Sequence, residues 1–182
     1  LNEYAQSEEP VCVEEKVMQM SEGQDHLLLL GESGKIYSYG INTYGQLGDK
    51  TTLSRENLIT TVVRVENGNI LENISEISAG DKYSVVVTQD GKVYTFGING
   101  EEQLGISNNL ENGGMLESGY AILKEDISNL ERVSAGYIHT SVYKEDGNIY
   151  AWGQGIEGEL GNGANSNYWE AQRVGKYIVE TN

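Results

Sequence analysis

The stretch that decides the architecture reads Tyr37-Ser38-Tyr39-Gly40-Ile41-Asn42-Thr43-Tyr44-Gly45-Gln46-Leu47-Gly48. It closes a longer unit that opens at Gly23 and His26. The unit recurs without a gap: Gly80, Tyr83, Gly91, Tyr94, Phe96, Gly97, Asn99, Leu104 and Gly105 follow at an offset of 57 residues. Gly136, His139, Gly147, Tyr150, Trp152, Gly153, Gly155, Leu160 and Gly161 follow at a further 56. Landmarks at identical spacing three times over identify a repeat protein, whose units gain stability by stacking on one another.

Within each unit the local chemistry is that of β-structure. Glu32-Ser33-Gly34-Lys35, Gln89-Asp90-Gly91-Lys92 and Glu145-Asp146-Gly147-Asn148 are tight-turn signals in which glycine supplies a positive φ. Runs such as Ser84-Val85-Val86-Val87-Thr88 before the turn and Lys92-Val93-Tyr94-Thr95-Phe96 after it predict hairpins. A further strand is expected before each opening glycine, at 17–20, 74–77 and 130–133, and a fourth at 61–65 and 120–123. Side chains alternate along a strand, so Tyr37 and Tyr39 share the face opposite Ile36 and Ser38. Tyr94 pairs with Phe96 and Tyr150 with Trp152 in the same way. Such sheets suit cover on both sides by neighbouring sheets.

The fold class expected is therefore all-β: about three β-propeller blades, each a four-stranded antiparallel sheet, in an incomplete ring. Little helix is expected, since no segment carries a capped 3.6-residue apolar period. The chain is phased as repeat 1 at 23–79, repeat 2 at 80–135, and repeat 3 with the start of the next blade at 136–182. Residues 1–22 are read as the tail of a preceding blade.

Composition narrows the function classes. In 182 residues, 28 acidic side chains face 12 basic ones, a net charge of −16, and no two basic residues are adjacent. Phosphate contacts need clustered Lys and Arg, so the balance argues against nucleic acid as a partner and disfavours an anionic membrane surface; neither is expected. The longest aliphatic run, Leu27-Leu28-Leu29-Leu30, falls far short of the roughly 20 residues that span a bilayer. Cys12 is the single cysteine, which excludes an internal disulfide and a cysteine-based zinc site. The compartment stays open, with a secreted or cell-surface location placed ahead of the cytoplasm.

These residues resemble the repeat of the regulator of chromosome condensation family, a glycine with His three residues on, an Asp-Gly hairpin, then Tyr-x-Trp-Gly-x-Asn-x-x-Gly-Gln-Leu-Gly. Residues 37–48 match closely, as do Gly136 with His139 and Ile149-Tyr150-Ala151-Trp152-Gly153. The second copy departs, with Tyr83 at the His position and Glu102 at the internal Gly. The resemblance implies a β-propeller, which in this family usually closes with seven blades. Propellers with shorter repeats of 40–50 residues fit less well. Three repeats leave an open arc, so the chain is expected to be a fragment of a longer propeller or to pair with another copy.

Several motifs suggest chemistry and yield to plainer readings. Gly153-Gln154-Gly155-Ile156-Glu157-Gly158 matches the dinucleotide fingerprint, yet Asn42 and Asn99 replace its central Gly in the other copies. A repeated turn in which Asn and Gly share tolerance of left-handed backbone is the simpler account. His26 and His139 occupy one repeat position that Tyr83 fills in the middle copy, which points to recurrent packing or hydrogen bonding instead of catalysis. The Asp-Gly turns lack the alternating oxygen ligands of a calcium loop. Asn73-Ile74-Ser75 is a glycosylation sequon of little weight. No catalytic, cofactor-binding or metal-binding residue is assigned, and no cofactor is expected.

Two longer segments differ between copies, 49–60 and 106–119, and loops on a rigid scaffold are where binding concentrates. Tyr44, Glu101, Glu102, Leu110, Met115 and Leu116 are the candidate protein-binding residues. The reading is a non-catalytic protein-binding or structural module with an unidentified protein partner. Self-association, or the remaining blades of a longer chain, would cover its ends. The alternatives are guanine-nucleotide exchange on a small GTPase, implied by one branch of the family, inhibition of a secreted bacterial enzyme, and a carbohydrate-active enzyme.

Overall fold

The computed structural model of the protein describes residues 13, 15–55 and 61–176. Among them, three antiparallel sheets follow one another along the chain. The first holds β1 (Val17–Glu22), β2 (His26–Gly31), β3 (Ile36–Gly40) and β4 (Thr61–Val62). The second holds β5 (Ile74–Ala79), β6 (Tyr83–Thr88), β7 (Val93–Ile98) and β8 (Glu117–Leu123). The third holds β9 (Leu130–Ala135), β10 (His139–Lys144), β11 (Asn148–Gly153) and β12 (Tyr168–Lys176). A single 3-10 turn, Leu110–Asn112, is the helical element among the described residues. None there is long and apolar enough to cross a membrane.

The sheets are phased one strand earlier than the sequence repeats, because the strand before each opening glycine pairs forward with the hairpin. Val17–Glu22 is thus the first strand of the first sheet, and Ala171, Gln172, Arg173 and Val174 lie within β12. The expected strand at 61–65 is cut to two residues: Arg64 and Val65 leave it to bridge Ile70 and Ala121. The loop expected to run to Gly119 stops at Leu116, where β8 begins. Residues 1–12, including Glu8, Glu9, Pro10 and Cys12, lie outside the described residues, as do Glu14, 56–60 and 177–182.

Register puts the alternating faces to use. In the first sheet Leu28 pairs with Ser38 and Leu30 with Ile36, and this face meets Val86 and Phe96 of the second. The second sheet's other face, Tyr83, Val85, Val87 and Val93, meets Val142 and Trp152 of the third. Phe96 and Trp152 are fully buried at these junctions. Each such ring contributes about 2 kcal/mol or more by area alone. Tyr39, at the equivalent position of the first sheet, and Tyr37 on the same face remain half-buried beside exposed Met18 and Met20. The two-sided cover read from the sequence therefore holds at the internal junctions, and the first sheet keeps one face open among the described residues.

The glycine at or next to the end of each third strand has a backbone reason. Gly40, Gly97 and Gly153 have φ of 116°, 111° and 102°. A Cβ on Gly40 would lie 2.4 Å from the Asp25 carbonyl oxygen, and one on Gly97 2.5 Å from that of Lys82. Only glycine fits both the angle and the gap.

Candidate functional site

The turn after each third strand is built by buried polar side chains. Asn42 accepts the Leu47 N–H at 2.9 Å through Oδ1 and donates from Nδ2 to the Thr51 carbonyl at 2.9 Å. Asn99 repeats this with Leu104 N–H at 3.0 Å, and donates to the carbonyls of Ile106 at 2.9 Å and Met115 at 2.7 Å. Neither Asn has positive φ, so the sequence reading of a left-handed Asn-or-Gly position is corrected: the amide side chain is what the turn needs. Gly155, in the third copy, instead donates its N–H to Asn167 Oδ1 at 3.1 Å. Ser38 and Thr95 hold the carbonyls of Leu47 and Leu104 at 2.7 Å. Ala151 offers no such hydroxyl.

Replacing Asn99 with Ala strands one N–H and two carbonyls. The expected cost is about 2 kcal/mol in urea denaturation, with faster hydrogen exchange at Met115 and nearby amides. An unchanged midpoint would remove Asn99 from this role.

The shared His/Tyr position makes the recurrent hydrogen bond expected of it. His26 Nε2 lies 2.9 Å from Ser84 Oγ, and Tyr83 donates its hydroxyl to the His139 carbonyl at 2.5 Å. Burial pushes the Tyr83 hydroxyl well above the ordinary phenol range. Asp25 Oδ1 lies 4.0 Å from His26 Nδ1, while Ser84 is fully buried and spends its hydroxyl proton on the Gln46 carbonyl, an arrangement that joins two sheets.

The candidate binding residues fall in two places. Tyr44 and Glu101 occupy equivalent turn positions: the Tyr44 ring lies 5.7 Å from Lys82 Nζ, and Glu101 accepts from Asn167 Nδ2 at 2.7 Å. Glu102 adopts φ 63°, and burial raises its carboxyl above the usual range. Leu110 and Leu116 are 63% and 49% exposed on the 106–116 loop. Asn99 N–H to the Leu116 carbonyl and Asn108 Nδ2 to the Gly100 carbonyl tie that loop to the Glu101 turn. Gly45 packs so close to Gly119 that a Cβ would come within 2.3 Å of its Cα, which brings the Tyr44 turn against β8.

Met115 is half-buried and lines a cleft of about 550 Å³ with Ile106, Ile122, Leu123, Lys124 and Trp169. The sequence reading had no hint of Lys124 or Trp169 here, since they lie 45 residues apart and meet only across two sheets. Lys124 Nζ donates to the carbonyls of Gly105 at 3.0 Å and Trp169 at 2.8 Å and pairs with Asp126 at 2.7 Å. Its ammonium also sits 4.9 Å from the Trp152 ring, and burial lowers its proton affinity. Glu125 and Asp126 flank the cleft. Gly153–Gly158 forms the turn after β11, and no helix follows it among the described residues.

The Regulator of chromosome condensation (RCC1) repeat matches residues 33–87, and a second version of that repeat matches 74–103. The chain is 33% identical over 149 residues to the ultraviolet-B receptor UVR8 of Arabidopsis thaliana, covering 82% of this chain and 32% of that protein. It is 29% identical over 151 residues to the human Regulator of chromosome condensation, covering 83% and 34%. The guanine nucleotide exchange factor SRM1 of Saccharomyces cerevisiae is 27% identical over 145 residues, covering 80% and 29%. Among solved structures, human WBSCR16 superposes with a TM-score of 0.74 at 21% identity, covering 88% of this chain and 38% of that one. Prp20p of Saccharomyces cerevisiae gives 0.72 at 24%, covering 90% and 39%. The chain thus spans about a third of the length of these relatives. Three aligned units, three stacked sheets and these matches agree: the chain is a run of regulator of chromosome condensation repeats, folded as successive blades of a β-propeller.

Proposed function

We propose that the chain is a non-catalytic protein-binding module whose rim cleft takes a partner segment carrying both apolar and basic side chains. The observation that carries this reading is the cleft itself. Its walls of Ile106, Met115, Ile122 and Trp169 are apolar, Glu125 and Asp126 lie at its margin, and Lys124 is already paired with Asp126. The net charge of −16 extends the same field outward and would speed encounter with a basic partner. Peptides displayed at random and selected on the protein should enrich sequences that combine Lys or Arg with aromatic or aliphatic residues. Met115→Asp should weaken the selected peptides at least about tenfold, the scale of losing one buried anchor. Selection that yields no peptide sensitive to Met115→Asp would sink the reading.

A second reading is nucleotide exchange on a small GTPase, favoured by the likeness to SRM1. Release of labelled GDP from a panel of small GTPases separates it from passive binding. The two end faces of the stack are read as covered by repeat units, supplied by further blades or by a second copy.

A further inference from the structure

The two junctions inside the chain are closed by equivalent hydroxyls. At the first, Ser84 Oγ donates to the Gln46 carbonyl at 2.9 Å, which leaves it to accept from His26 Nε2. At the second, Thr140 Oγ1 stands 3.2 Å from the Tyr83 hydroxyl and 3.1 Å from the Gln103 carbonyl. A second contact recurs on the inner strands. Ser21 Oγ accepts the Ala79 N–H, and Ser78 Oγ accepts the Ala135 N–H, each at 2.9 Å.

The far face of the third sheet presents the same set again. Ser134, His139 and the Glu159 carbonyl stand at the repeat positions of Ser21 and Ser78, of His26 and Tyr83, and of the Gln46 and Gln103 carbonyls. Thr140 points back to the second sheet, so its neighbour His139 points away from it.

The near face of the first sheet does not answer this set. Where Ser84 and Thr140 stand, it carries Leu27, which can neither accept from an imidazole nor donate to a carbonyl. Where Ala79 and Ala135 stand, it carries Glu22. Pressing this face onto the third sheet would bury an imidazole N–H and a carbonyl without partners and bring a carboxylate into a gap sized for a methyl group.

We propose that the far face of the third sheet docks a blade that offers a serine or threonine hydroxyl, and that this chain's own first sheet is excluded from that role. The proposal rests on the reading that a repeat unit covers this face, and it selects between the two sources of that unit. A distinct blade fits the face, and the first sheet of a second copy does not.

The test is sedimentation equilibrium of the 182-residue chain. Wild type should show no association that His139→Ala weakens. Leu27→Ser combined with Glu22→Ala supplies the missing hydroxyl and the missing methyl group. It should associate roughly tenfold or more tightly than wild type, the scale of one buried hydrogen bond. Adding His139→Ala should remove the gain. Leu27→Thr with Glu22→Ala repeats the experiment with a β-branched residue should the serine variant fold poorly. Wild-type association abolished by His139→Ala overturns the proposal while leaving a repeat-covered face standing. A gain that ignores His139, or no gain from either variant, overturns it as well.

Discussion

Lowering the pH from 6.5 to 4 should cost the fold about 3 kcal/mol through His26 alone. The imidazole is buried between the first two sheets, and burial holds its pKa at about 4 against an ordinary 6.5. Its tautomer follows from its neighbours. Ser84 spends its one hydroxyl proton on the Gln46 carbonyl, so His26 Nε2 must carry the hydrogen and Nδ1 is bare. Acid adds a proton at Nδ1, which has no hydrogen-bond partner and lies 4.0 Å from Asp25 Oδ1. That carboxylate offsets only part of the cost of charging a buried ring.

The depressed value fixes the sign. Above pH 6.5 both folded and unfolded chains hold a neutral ring and the full stability is present. Between 6.5 and 4 the unfolded chain takes up the proton and the folded one does not, so stability falls as pH falls. Asp81, raised chiefly by burial, acts in the opposite direction at the acid end, because its protonation favours the fold. His26→Gln keeps an amide donor for Ser84 and cannot titrate. Urea midpoints of the two proteins from pH 7 to 4 should converge as pH drops, and parallel curves would show that His26 does not carry the slope.

Truncating Trp152 to Ala should remove about 4 kcal/mol and lower the melting temperature by roughly 10 °C. The indole is fully buried between the second and third sheets, donates from Nε1 to the Gln103 carbonyl at 3.0 Å, and lies under the Lys124 ammonium. Three losses coincide: ring area, a buried hydrogen bond and a cation–ring contact. Trp152→Phe should cost only about 1–2 kcal/mol, since Phe96 fills the same repeat position at the other junction with no N–H to satisfy. Calorimetry of both variants measures the split. A cost below about 1 kcal/mol for Trp152→Ala would mean that the sheets are not held together through this face.

Features with a local cause are legible in the order of the residues. Turn glycines, strand alternation and the 56–57-residue spacing act over a few residues or repeat identically, so sheets, hairpins and the stacking faces of Ile36, Tyr94 and Trp152 could be read directly. The recurring His/Tyr position was legible as a recurrent contact for the same reason. The partners of each polar side chain come from the stacking of the sheets. Asn42 looked like a turn former and proved to be a buried amide organiser. Lys124 carries no local signal in the sequence and is a buried staple between blades. Leu27 became informative once Ser84 was seen bridging His26 and Gln46, 58 and 38 residues away. A hydrogen bond depends on atoms meeting within 3.5 Å, and which distant residues meet is set by how sheets stack, a property that no short window of sequence contains.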